Sequence, residues 1–219
     1  SRGHVGRAAC PEKVFRVVEL AAGAVWLKEM GVADDTPAAS ASVPQGMTQP
    51  AYDDQGRLLI PEGYRNWVFV GSSLGLDYSE PREGQVRTDI FHHVYMQPEA
   101  VKHYQETGAF PEKTMLVMEN YSAGDKENNT AKELTKDKEE FGTLNGHFSD
   151  ARLGVEAAVK DSAKSPDTWS YYAFGSRAGL LPAAKAFPKQ SCWDCHSKHA
   201  AVDNVFVQFY PILREARAQ

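Results

Sequence analysis

The stretch RLGVEAAVKD, residues 152–161, decides the fold class. Its apolar residues occupy every second position: Leu153, Val155, Ala157 and Val159. Successive side chains of a β-strand point to opposite faces of a sheet, so this alternation predicts a strand with one buried face. A helix is the competing interpretation. In the strand, Glu156 faces away from the side that buries Val155 and Val159.

Four further segments have the composition of strands, rich in β-branched and aromatic residues. They are Arg65–Ser73, Thr88–Met96, Thr114–Tyr121 and Thr168–Gly175. Between them, residues 97–108 predict a helix that begins near Pro98 and stops at Gly108. Because the connections are mainly short, we expect antiparallel pairing. The predicted fold class is therefore α+β, a mainly antiparallel β-sheet with packed helices.

The chain divides into regions of different composition. Residues 1–32 contain an amphipathic stretch, Val14–Met30, which predicts an extra N-terminal helix. Residues 33–50 are rich in Ala, Ser, Pro and Thr, as in a linker, and the main domain is expected to span residues 51–219. Residues 122–146 are charged and nearly free of large apolar side chains, which indicates a solvated insertion.

The C-terminal region predicts helices. Residues 181–188 predict a short helix closed by Pro188. Residues 203–218 predict a longer helix with Asp203 as its N-cap and a kink at Pro211.

Overall charge and hydropathy exclude two classes of protein. The net charge is -5 and no basic patch stands out, so nucleic acid is a poor partner. No stretch approaches the roughly 18 apolar residues that a membrane span needs. The isolated Cys10 is expected to be a free or buried thiol, with lipid attachment as the alternative.

The motif CWDCH, residues 192–196, carries the chemistry. The spacing Cys-x-x-Cys-His indicates covalent attachment of c-type haem. The thiols of Cys192 and Cys195 can add across two neighbouring vinyl groups, and His196 then ligates the iron. A zinc site that includes His199 is an alternative, although the chain has no second cysteine pair. A redox disulfide is the other, but no βαβ pattern surrounds the motif.

The order of several segments resembles the cytochrome P460 family over about three quarters of the chain. The segments are LLIPEGYRNWVFVG (58–71), VYMQPEAVKHYQETGAFPEKTMLVMEN (94–120), GVEAAVKDS (154–162) and CWDCHSKHAAVDNVFVQFYPILREA (192–216). The resemblance implies one haem c in a mainly antiparallel sheet with a C-terminal haem-binding helix, and a homodimer. It also implies action on hydroxylamine and nitric oxide, with electrons passed to a redox partner cytochrome. A sister group, the cytochromes c′-beta, shares the fold and binds small gases.

C-type haem attachment takes place outside the cytoplasm, so a periplasmic location is expected. The secretory signal peptide that this location requires is absent from the sequence.

One position departs from the family pattern. Family members that oxidise hydroxylamine carry a lysine cross-linked to the haem, one residue before a glutamate, and here Met118 precedes Glu119. Lys113 and Lys126 are too far along the chain to replace it, so we expect no cross-link. Met118 then packs against the haem, ligates its iron or bonds to it. Axial ligation would make the protein an electron-transfer cytochrome with His196 and Met118, or a second histidine, on the iron.

The resemblance also aligns Glu156 with a glutamate on the ligand side of the haem. A carboxylate there could accept protons from a bound N–OH group, which makes Glu156 the candidate catalytic residue. The alternative is a solvated strand glutamate. His92 lies where members of the family carry an arginine, and His92 or His93 could reach the same pocket as a donor or ligand; the alternative is an ordinary surface or core histidine.

Overall fold

A five-stranded antiparallel sheet, in the order β2-β3-β4-β5-β6, organises the chain. The computed structural model describes residues 42–76, 89–125, 127, 129–130, 145–176 and 179–216. The strands are β1 (Leu58–Leu59), β2 (Val68–Leu74), β3 (Ile90–Met96), β4 (Met115–Gly124), β5 (Phe148–Lys160), β6 (Trp169–Ala173), β7 (Gly175–Ser176), β8 (Gly179–Leu180) and β9 (Ala183–Ala184). The α-helices are α1 (Pro98–Thr107), α2 (Trp193–His199) and α3 (Pro211–Glu215). The prediction of an α+β fold with a mainly antiparallel sheet and a C-terminal helix is confirmed.

The register of the central strands separates the sheet into two faces. Met118 pairs with Val94 on β3 and with Glu156 on β5, so these three side chains lie in one row. Glu119 pairs with Val155, and both point to the opposite side. We call these sides the cavity face (Val94, Met118, Glu156) and the far face (Glu119, Val155).

Each face packs against its own hydrophobic core. The cavity-face core includes helix α1 and the C-terminal segments, and the far-face core includes β1 and β9. Val155 and Val159 are fully buried in the far-face core, as the alternation in residues 152–161 predicts. The strand interpretation of this stretch is therefore correct, and Glu156 lies on the other face.

Helix α1 follows its sequence signals closely. Pro98 occupies the first turn, where its missing N–H costs no intrahelical hydrogen bond. Gly108 ends the helix with φ of 74°, a left-handed conformation that glycine adopts without a steric penalty.

The helix predicted for residues 181–188 is wrong. Ala183 and Ala184 instead form β9, which pairs with β1. The Ile60 N–H donates to the Pro182 carbonyl at 3.0 Å and extends this pairing. As a strand, this segment forms hydrogen bonds with the edge of β1 that a local helix could not form. The pairing also buries Ala183 and Ala184.

The single helix predicted for residues 203–218 is also wrong. The chain makes a turn at Asp203, a 3₁₀ helix at Val207–Phe209 and then α3 from Pro211. Proline disfavours helical backbone in the residue before it but suits the first turn of a helix, so the α-helix begins at Pro211 instead of kinking there. Asp203 is not an N-cap, because its carboxylate binds other elements, as described below.

Several predictions concern residues that are not described. The N-terminal helix and Cys10 lie outside the described residues, as does most of the insertion. Strand β4 continues to Gly124, past the predicted start of that insertion. At the end of the predicted linker, Met47 is buried in the cavity-face core, and the domain boundaries stay a prediction. Among the described residues, no helix has the length and apolar character to cross a bilayer.

Candidate functional site

Helix α2 presents the Cys-x-x-Cys-His motif to the cavity face. Cys192 is its N-cap, and Cys195 and His196 lie within its first turns. Both thiols are free and partly buried. Burial raises the pKa of the Cys192 thiol, and the nearby Glu156 and Cys195 raise it further.

A tryptophan fixes the start of this helix to the rest of the domain. The Trp193 Nε1–H donates to the Asp167 carbonyl at 2.9 Å. The Lys189 ammonium lies 3.7 Å from the centre of the Trp193 ring and also pairs with the Asp167 carboxylate at 2.5 Å. Helix α2 is therefore anchored to the loop that leads into β6.

His196 is oriented as a metal ligand requires. Its Nδ1–H donates to the Asn204 carbonyl at 2.8 Å, which fixes the tautomer and leaves Nε2 available. The rings of Tyr171 and Phe206 lie 4.4 and 4.5 Å from the imidazole, centre to centre. Burial lowers the pKa of His196 despite the Asn204 hydrogen bond, so the imidazole is neutral and able to bind a metal.

An apolar cavity lies between His196 and the sheet. It contains about 580 Å³ of empty space, counted out to its open mouth and including solvent there. Val94, Leu116 and Ala158 on the sheet and Phe206 near the helix supply apolar walls. Cys192, His196, Met118 and Glu156 border the same space.

This cavity fits a haem attached through the motif. Its walls are apolar, one thiol borders it, and Nε2 of a neutral histidine is free of hydrogen bonds to the described residues. The buried Tyr171 hydroxyl also borders it and has no hydrogen-bond partner among the described residues. A buried hydroxyl without a partner is unusual in proteins, and a group bound in the cavity would account for it.

The zinc alternative lacks a ligand set in the described part of the chain. No group of three or more His, Cys, Asp or Glu side chains there could hold a metal ion.

Glu156 lines the cavity from β5, on the face that the alternation of apolar residues in 152–161 predicts. Its Oε1 accepts one hydrogen bond, from the Asn120 amide at 3.3 Å. Burial raises the pKa of Glu156, and the Asn120 hydrogen bond offsets this only in part. The surroundings of Glu156 therefore favour its protonated form more than water does.

Met118 borders the cavity directly beside Glu156. Among the described residues, no lysine lines the cavity in place of the lysine of the family pattern. Lys113, two residues before the start of β4, forms an ion pair with Asp161, and Lys126 lies outside the described residues.

The two histidines on β3 do not line the cavity. His93 is on the far face, and its Nε2 lies 2.6 Å from the Ser149 hydroxyl. His92 is on the cavity face but further along β3, where its Nδ1 lies 3.3 Å from the Ser73 hydroxyl. The hypothesis that either one reaches the pocket has no support in this geometry.

Three site residues were not identified from the sequence: Asn120, Tyr171 and Asn204. Asn120 is two residues after Met118, so strand parity already places it on the same face. The pair Asp203-Asn204 is typical of a turn with left-handed backbone, which would have argued against a helix there. The sequence carries no comparable signal for Tyr171.

Sheet, motif helix and apolar cavity together define a c-type haem protein. Comparison with known families gives the same class. The cytochrome P460 family matches residues 61–207, more than half of the chain, so the chain belongs to that family. No curated protein matches the chain significantly. The family binds haem c through cysteines, and Cys192 and Cys195 are present in the described chain; members of the family are generally extracytoplasmic.

Proposed function

We propose that this protein binds or oxidises small nitrogen species, such as hydroxylamine or nitric oxide, at a single haem c. The observation that carries the proposal is Glu156, a carboxylate with a raised pKa that lines the same cavity as His196 and Cys192. A carboxylate that can accept a proton beside the bound ligand is the group that oxidation of a protonated nitrogen compound requires.

Each residue of the site has a separate task in this proposal. The bound haem supplies an iron that can take up a nitrogen ligand and its electrons. His196 would bind that iron through Nε2, and Cys192 and Cys195 would fix the macrocycle. Glu156 Oε accepts a proton from the ligand, and the apolar wall that includes Val94 and Leu116 limits the access of water.

The partners follow from this chemistry. Electrons removed from the substrate require an acceptor, and we propose a redox partner cytochrome in the periplasm. A homodimer is part of the same proposal. Met118 at the position of the family's lysine supports a haem without the additional cross-link.

A second function is favoured by one observation, namely that Met118 borders the same cavity as His196. If its thioether binds the iron opposite His196, both axial positions are filled. The protein would then carry electrons and would not bind substrate, because His/Met ligation closes the iron and raises its reduction potential.

An absorption spectrum of the ferric and ferrous protein, before and after addition of nitric oxide, separates the two functions. A five-coordinate ferrous spectrum that changes at once with nitric oxide supports the first function. A six-coordinate, low-spin spectrum that does not respond contradicts it. In that case Met118→Ala should open the iron to nitric oxide.

Turnover of hydroxylamine with an artificial electron acceptor then tests Glu156. Glu156→Gln keeps the size of the side chain but cannot accept the proton, and we expect the rate to fall about 10²-fold or more. Glu106→Gln, an exposed change on α1, serves as the control and should leave the rate unchanged. Equal rates for wild type and Glu156→Gln would remove Glu156 from the mechanism.

A further inference from the structure

The turn that follows the haem-binding helix has an unusual backbone. Asp203 and Asn204 have φ angles of 44° and 60°, both in the left-handed region, which Asp and Asn adopt more readily than other non-glycine residues but still at a cost. The flanking residues close the turn, with the Val205 N–H donating to the Val202 carbonyl at 2.7 Å. Such backbone costs free energy and persists where the surroundings fix it, often at functional sites.

The Asp203 carboxylate fixes this turn to the sheet. One oxygen accepts a hydrogen bond from Lys160 Nζ at 2.7 Å, and the other accepts one from Trp169 Nε1 at 3.0 Å. Lys160 ends β5 and Trp169 begins β6, and the two residues are paired in register. Lys160 also donates to the Phe110 carbonyl at 2.8 Å, so its ammonium is itself held in place.

The next residue of the same turn holds His196. The Asn204 carbonyl accepts the Nδ1–H of His196 at 2.8 Å. An acceptor at Nδ1 makes an imidazole a stronger electron donor to a metal at Nε2 and fixes its orientation. The strength of this hydrogen bond depends on where the turn places the carbonyl.

We propose that Asp203 is a positioning residue for the haem iron. By fixing the turn at residues 202–205 to Lys160 and Trp169, it holds the Asn204 carbonyl against His196 and so lowers the reduction potential of the iron. This inference concerns the haem alone and does not rest on the proposed reaction with nitrogen species.

The test compares Asp203→Ala and Asp203→Asn with wild type as haem-loaded proteins. Two quantities are measured: the reduction potential, and the rate at which the His196 Nδ1 proton exchanges with D₂O, followed by NMR of the reduced protein. We expect a higher potential and about tenfold faster exchange in Asp203→Ala, because a hydrogen bond of ordinary strength is lost. Asp203→Asn should shift both less, since asparagine tolerates left-handed backbone and keeps one acceptor oxygen.

Lys160→Met separates positioning from a simple effect of charge. Loss of a positive charge by itself lowers the potential, because the reduced iron is then less stabilised. Loss of the anchor raises the potential and speeds the exchange. The proposal therefore expects the same direction of change in Lys160→Met and in Asp203→Ala, although the two substitutions change the net charge in opposite directions.

Asp161→Asn is the matched structural control. Asp161 forms a buried ion pair with Lys113 at the same end of β5 but makes no contact with the turn in the described structure. This variant should lose thermal stability and keep the wild-type exchange rate, while its potential rises only by the small amount that loss of a negative charge gives. The proposal is overturned if Asp161→Asn shifts both quantities as Asp203→Ala does, or if Lys160→Met lowers the potential with slow exchange. If Asp203→Ala does not retain haem, Asp203→Asn and Lys160→Met decide the question.

Discussion

Glu119 on β4 and Glu156 on β5 lie one register step apart on opposite faces of the sheet, and their surroundings differ in kind. Glu119 is 2% exposed and accepts hydrogen bonds from Tyr64 Oη at 2.6 Å and from Arg65 Nε at 2.9 Å. Burial alone would raise its pKa, but these donors outweigh burial, and the pKa of Glu119 is lowered. The carboxylate of Glu119 is thus held in its charged form.

Among the described residues, Glu156 receives one hydrogen bond, from the Asn120 amide at 3.3 Å, and burial raises its pKa. The same side chain therefore has opposite protonation preferences on the two faces. A carboxylate whose lone pairs are occupied by donors stabilises the fold, whereas one with few donors in a cavity remains able to accept a proton. The comparison indicates that the far face provides stability and the cavity face provides chemistry.

Among the variants that test the difference between the two glutamates, Glu119→Ala is expected to have the largest effect. Loss of the carboxylate leaves the buried Tyr64 hydroxyl without its acceptor, so the free energy of unfolding should fall by about 2–4 kcal/mol. Urea unfolding measures this loss, and the haem spectrum should not change. A loss below about 0.5 kcal/mol, the range of ordinary surface substitutions, would contradict a structural role for Glu119.

The stability that Glu119 contributes should depend on pH. Because its pKa is lower in the folded state, that contribution is present above the unfolded pKa and is lost as the pH falls through the folded pKa. The difference in the free energy of unfolding between wild type and Glu119→Ala should therefore become smaller in acid, as urea unfolding at several pH values would show.

Glu156→Gln is expected to change the stability of the protein less than Glu119→Ala does, and in the opposite direction. The folded pKa of Glu156 is raised, so the unfolded state releases its proton first as the pH increases. Its contribution to stability is then present below the unfolded pKa and is lost as the pH rises through the folded pKa. Glu156→Gln should raise the melting temperature at neutral pH and not in acid. A variant less stable than wild type at neutral pH would show that the carboxylate of Glu156 is satisfied, like that of Glu119.

The central strands, and the face on which Glu156 lies, could be predicted from the sequence. Burial on one side of a sheet imposes a period of two, so Val155 and Val159 indicate the direction of Glu156 without any knowledge of the partner strands. The Cys-x-x-Cys-His motif could also be recognised, because Cys192, Cys195 and His196 are close in the chain.

The remaining features depend on residues that are distant in the chain. Ala183 and Ala184 form a strand because the edge of β1, more than a hundred residues earlier, is available to pair with them. Asp203 turns instead of capping a helix because Lys160 and Trp169 bind its carboxylate. The donors to Glu119 likewise come from residues about 55 positions earlier. Local propensity contains no information about such partners.

The smallest expected effect is that of Asn120→Leu on the pKa of Glu156, and it tests the difference between the two glutamates most directly. The Asn120 amide is the described group that lowers the pKa of Glu156 against the effect of burial, so its removal should raise that pKa further. Titration of the Glu156 carboxyl band by infrared difference spectroscopy measures this shift directly and does not depend on turnover. Ser122→Ala, two residues along β4, is the control, because the Ser122 hydroxyl contacts the Ala151 backbone and not Glu156. An unchanged or lower midpoint in Asn120→Leu would mean that Glu156 already has other donors, and the distinction between the two glutamates would then be one of degree.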